Sequence, residues 1–152
     1  MIDKKFIGYQ LKPSSLYMDR TRLQFFAKAI GETQAIYTDR DAAQAAGYAD
    51  LPAPPTFLFA AELDSGAVDD VLAKLEIPLA KLLHGEQSFT YHQPACVGDT
   101  VTVTSRIEDI YDKKGGALEF VVRQTRVTNQ RGEHVADLRG VTVMRQPEKE
   151  TA

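Results

Sequence analysis

The rhythm of apolar residues along this chain changes near Glu86: helical spacing before it, alternation after it. Phe6, Ile7, Tyr9 and Leu11, closed by Pro13, predict a short first strand. Over residues 19–30, Leu23, Phe26, Ala27 and Ile30 fall at i, i+3, i+4 and i+7, one apolar stripe of a helix. Asp19 stands where an N-cap belongs and Gly31 where a helix terminator belongs. A second short helix is predicted over residues 39–46, with Thr38 and Asp41 at capping-box spacing and Gly47 after it. Pro52, Pro54 and Pro55 then force an extended approach, because each proline pushes its predecessor out of helix space. Pro55 suits the first position of a helix, where its missing N–H is not needed. That helix, residues 55–63, carries Phe57, Leu58, Phe59, Ala60, Ala61 and Leu63. Being apolar on nearly all sides, it is predicted to lie inside a core. A further amphipathic turn or two is predicted over 68–75, before Pro78.

Four β runs follow, at residues 86–92, 100–111, 117–128 and 134–145. Val101, Val103 and Ile107 share one parity, as do Leu118, Phe120 and Val122. The glycine-bearing segments 112–116 and 129–132 predict hairpin loops, so these strands are antiparallel neighbours. The class is therefore α+β. A long antiparallel sheet wrapped around a central buried helix is the hot-dog fold, and such domains usually pair, so a dimer is expected. One such domain accounts for residues 1–146, and the polar residues 147–152 are expected to be a disordered tail.

The chain of 152 residues is long enough for a real core, and its 43% hydrophobic and 26% charged residues are ordinary for a globular protein. A net charge of -3 offers no basic excess for nucleic acid. Cys96 is the one cysteine, which excludes an intrachain disulfide. No apolar run is long enough for a membrane helix, and the first residues lack the apolar block of a signal peptide. A cytoplasmic protein is expected.

Two segments carry a family resemblance. The first is Phe26-Ala27-Lys28-Ala29-Ile30-Gly31-Glu32-Thr33-Gln34-Ala35-Ile36-Tyr37, followed by Ala45-Ala46-Gly47-Tyr48 and Ala53-Pro54-Pro55-Thr56-Phe57. The second is His84-Gly85-Glu86-Gln87-Ser88-Phe89-Thr90-Tyr91-His92, followed by Gly98-Asp99-Thr100. Together they resemble the MaoC-like hydratase/dehydratases, more narrowly the N-terminal or partner domain related to the dehydratase of type I fatty acid synthase. The resemblance implies a soluble hot-dog domain that holds an acyl thioester, on coenzyme A or acyl carrier protein, and needs no other cofactor. Active members carry Gly-Asp-x-Asn-Pro-x-His after the first long helix. Its aspartate and histidine activate water, or move protons, in (R)-specific hydration of an enoyl thioester and its reverse. The weakly acidic α-proton requires such a positioned base. Backbone N–H groups at the start of the buried helix usually serve the enolate oxygen.

Here Gly31 is kept, but the aspartate position is Glu32, the asparagine Gln34, the proline Ala35 and the histidine Tyr37. Tyrosine, with a reference pKa near ~10, is a poor base at neutral pH. Where active members have His-Gly, this chain has Pro54 or Pro55, which lacks an N–H donor. The resemblance therefore implies a degenerate subunit, with Glu32 and Tyr37 at altered catalytic positions. Gln34, Pro54, Pro55, Thr56 and Phe57 are then candidates for holding substrate beside a catalytic hot-dog partner. Two alternatives remain: an active homodimeric dehydratase using Glu32, and a non-catalytic acyl-CoA binding module. A thioesterase would need a carboxylate on the buried helix; Glu62 is near its end, its direction open.

The bland readings compete. For Glu32 the plainer reading, a loop carboxylate capping its neighbours, is favoured; for Tyr37 an aromatic packed under the loop weighs the same as a donor to the thioester. His84 and His92 do not have metal-ligand spacing and Cys96 has no CxxC partner, so no metal is expected. The charged strand residues Arg106, Glu108, Arg123, Arg126 and Arg139 are expected on the solvated face of the sheet.

Overall fold

In the computed structural model, residues 1–64 and 66–146 are described. Four α-helices, α1 (Arg20–Ala29), α2 (Arg40–Ala45), α3 (Leu58–Asp64) and α4 (Ala67–Lys74), lie between a short strand β1 (Ser14–Tyr17) and four long ones. These are β2 (Leu82–Tyr91), β3 (Thr100–Lys113), β4 (Leu118–Asn129) and β5 (His134–Arg145). The five strands make one antiparallel sheet in the order β1-β3-β4-β5-β2. This is the expected α+β hot-dog architecture. The tail expected at 147–152 lies outside the described residues.

Sequence chemistry explains most boundaries. Asp19 accepts the Arg22 N–H and caps α1, while Gly31 ends it at φ +73°. The cap of α2 is Asp39 and not Thr38: Asp39, directly before the helix, turns its Oδ1 back to accept from the amides of Asp41 and Ala42. The hairpins turn where expected, with Gly115 at φ +63° and Gly132 at φ +77°.

Three elements differ from expectation. The segment 6–11 is not a strand. Residues Lys4–Phe6 form a single 3-10 turn, and only Gln10 makes an isolated bridge, to Arg106. The first strand is Ser14–Tyr17, registered on Thr100–Val103 of β3. The buried helix starts at Leu58, not Pro55, because Thr56 takes φ +74° and interrupts any helix through it. Strand β2 begins earlier than predicted, at Leu82, with a bulge between His84 and Glu86.

One face of the sheet packs against α3 and α4. Leu58 and Ala61 of α3 join Leu23, Phe57, Val101, Val103, Val127 and Leu138 in one core cluster. Val71, Leu72 and Leu75 of α4 and its end join Leu11, Ile107, Ile110 and Val121 in a second. In β4 it is Val121, Thr125 and Val127 that face the helices, while Phe120 stacks on Tyr111 with centroids 4.7 Å apart. Arg123 belongs to the buried set too: it is 5% exposed and faces Glu62, not solvent. A bulge in β3 between Ile107 and Asp109 moves the helix-facing residues from Ser105 and Ile107 to Ile110.

Candidate functional site

The loop after α1 is shaped by its own carboxylate. Glu32 Oε1 accepts from the amides of Thr33 at 2.8 Å and Gln34 at 2.9 Å. Glu32 thus holds the turn that presents Tyr37, and Gln34 lies exposed at its start. The loop is further fixed by Gln24, whose side-chain amide donates to the Thr38 carbonyl. Burial, and then the nearby Glu32, Tyr48 and Tyr91, push the Tyr37 hydroxyl above its ordinary pKa. It stays protonated at neutral pH and is a donor, not a base.

The proline segment reaches the same place from the other side. Asp50 accepts both Nη2 contacts of Arg20, at 2.9 and 2.8 Å, and the Leu51 amide at 2.7 Å, with Arg40 at 3.5 Å. Burial alone would raise its carboxyl. The Leu51 amide, Arg20 and Arg40 outweigh burial and hold it below the usual range. Ala53 N–H then bonds the Ala95 carbonyl and Val97 N–H the Leu51 carbonyl, so the segment runs extended beside residues 95–97. Cys96 is buried there, and burial pushes its thiol up.

At the entrance to α3, Pro54 is buried and Pro55 and Thr56 are exposed. The Thr56 N–H donates to the Tyr91 hydroxyl at 2.9 Å. The Phe57 and Phe59 amides go to the carbonyls of Pro54 and Thr56. Pro54 and Pro55 have no N–H to offer. Of the amides at this entrance, those of Thr56, Phe57 and Phe59 are thus engaged, and Pro54 and Pro55 have none.

Beside Thr56 opens a cavity of about 490 Å³, lined by Phe26, Phe59, Ala60 and Leu63, with His84, Gln87 and Phe89 from β2. It is overwhelmingly apolar, the character needed to receive an acyl chain. Of the residues singled out in sequence, Thr56 bonds the Tyr91 hydroxyl, and Tyr37 lies near enough to both Glu32 and Tyr91 to feel them electrostatically. Phe57 lies in the core, 1% exposed, edge-on to Phe26 at 5.2 Å, and does not line the cavity. Sequence reasoning missed Tyr91 and Phe89. Phe89 and Tyr91 are two apart on one strand and stack at 5.8 Å, so alternation was the available signal.

Glu62 points away from the cavity. It accepts from the Thr125 hydroxyl, which pairs with Ser105 at 2.7 Å, and meets Arg123. The helix carboxylate that a thioesterase would need is therefore built into the sheet. Among the described residues, no helix is long and apolar enough to cross a membrane.

A 37% identical relative, a UPF0336 protein of Streptomyces avermitilis, aligns over 135 residues, 88% of this chain and 89% of its own. Among solved structures, the C-terminally truncated HadBC (3R-hydroxyacyl-ACP dehydratase) complex of Mycobacterium tuberculosis superposes with TM-score 0.79. Identity is 24%, over 91% of this chain and 96% of that one. The ChsH1–ChsH2 complex of Mycobacterium tuberculosis superposes with TM-score 0.67 and 23% identity, over 91% and 98%. Both share the fold. The sequence model of the FAS1-like dehydratase domain region matches residues 5–138. The chain belongs to that family and shares the hot-dog fold of solved MaoC-like dehydratases.

Proposed function

We propose that this chain is the substrate-holding subunit of a 3-hydroxyacyl-thioester dehydratase, working with a second hot-dog subunit that carries the intact Asp/His motif. The observation that carries this reading is the Thr56 amide. It is bound to Tyr91, and the two residues before it are prolines. Glu32 supports it, since one of its oxygens is engaged by its own loop, and Tyr37 is a poor base. The apolar cavity is retained. In this reading Glu32, Gln34, Tyr37, Pro54, Pro55 and Thr56 shape the mouth that receives the thioester, and the partner supplies the chemistry. Two solved structures of the same fold are themselves two-subunit complexes, which favours a hot-dog partner.

The test is hydration of crotonyl-CoA, followed as loss of enoyl absorbance. The purified chain alone is expected to give no turnover, and a hot-dog partner with the complete motif to restore it. Turnover by the chain alone, abolished in Glu32→Gln, overturns the proposal.

A further inference from the structure

One side-chain cluster plays no part in the thioester site. His92, just beyond β2, points its Nε2 to Asp137 Oδ2 at 2.8 Å. His134, the first residue of β5, points its Nε2 to the other oxygen at 2.9 Å. The two imidazole rings lie 4.1 Å apart between centroids. One donor atom from each of the three residues lies within 4.8 Å of the others.

The strands hold this arrangement. Asp137 is registered on Thr90 of β2, and the His92 amide bonds the Val135 carbonyl at 2.9 Å. Side chains on paired strands are more closely fixed than side chains on loops. The side chains of His92, His134 and Asp137 are 38%, 27% and 32% exposed, so an ion can reach them. Local spacing concealed the cluster, because His92 and His134 meet only through strand pairing.

Two imidazoles and one carboxylate form a mixed nitrogen and oxygen donor set. Such a set suits a divalent transition ion and not magnesium or calcium, which prefer oxygen alone. A zinc-type ion sits ~2.0–2.2 Å from such donors, which spaces neighbouring donors roughly 3–3.5 Å apart. The present nitrogen–oxygen separations are slightly shorter, so small side-chain rotations make room without moving a strand. Each imidazole then carries its proton on Nδ1 and turns the Nε2 lone pair to the ion. We propose that His92, His134 and Asp137 bind one divalent transition-metal ion, with water completing its coordination, and that the ion pins the end of β2 to β5.

The test is calorimetric titration of untagged, EDTA-treated protein with Zn²⁺, paired with thermal unfolding. Saturable binding of one ion per chain is expected. Tm is expected to rise by roughly 5–10 °C when the metal is held ~100-fold above its Kd. His134→Asn and Asp137→Asn are each expected to weaken binding about tenfold or more, with their Tm in EDTA near that of the parent. Should either fail to fold, His92→Gln, beyond the strand end, takes its place. No saturable binding, or binding unchanged in these variants, overturns the proposal.

Discussion

Glu62 and Arg123 meet inside the core, their side chains 4% and 6% exposed, with nitrogen and oxygen 3.5 Å apart. Thr125 and Ser105 extend the polar patch across to β3. Taking one member away leaves the other charge buried, which costs about 3–5 kcal/mol. Arg123→Met is therefore expected to destabilise the protein by about 3 kcal/mol or more in urea unfolding. Glu62→Gln combined with Arg123→Met is expected to recover part of that loss. The patch also marks where the sequence misleads. A pattern of apolar and charged positions equates charge with solvent, and so predicts Arg123 on the outer face. Nothing local to β4 says that a carboxylate on α3 waits opposite it. Cys96 is a simpler case. Buried, with a raised thiol pKa, it is expected to resist a thiol reagent at neutral pH until the chain is unfolded.

Elements with a strong period or a clear cap were legible: α1, the two β hairpins and the buried position of α3 follow from spacing, glycines and Asp19. Those set by tertiary contact were not. Ser14–Tyr17 is too short and polar to announce itself, and is a strand because β3 offers Thr100–Val103 as partner. The start of α3 is delayed by Thr56, whose left-handed backbone is paired with the Tyr91 hydroxyl. Tyr91→Phe removes that acceptor and is expected to lower stability by about 1 kcal/mol. Unfolding in urea checks it. The early start of β2 depends on Gly85. A Cβ there would meet Val143 Cγ2 at 2.8 Å and the Val141 carbonyl at 3.2 Å. Valine has no flexible end to yield, so Gly85→Ala is expected to cost about 1–3 kcal/mol and to disturb the bulge.

Across the whole molecule, the Asp50 contacts tie α1, the loop after α2 and the proline segment together. A carboxyl held below its ordinary value in the folded chain stabilises it above the unfolded value, near ~3.9. That contribution is lost as pH falls through the folded value. Asp50→Asn is thus expected to lower Tm at pH 7, with the gap to the parent closing on acidification below the ordinary carboxyl range. A Tm series against pH reads this out.

Strand β2 occupies the edge of the sheet, with Leu83 and Tyr91 exposed along it. The same strand lends His84, Gln87 and Phe89 to the cavity and Tyr91 to Thr56. A subunit that paired with this edge would therefore press on the walls of the cavity itself. Assembly and ligand binding would then share one lever, and linkage makes such coupling reciprocal. By whatever factor a ligand in the cavity tightened such a pairing, the pairing would have to tighten that ligand.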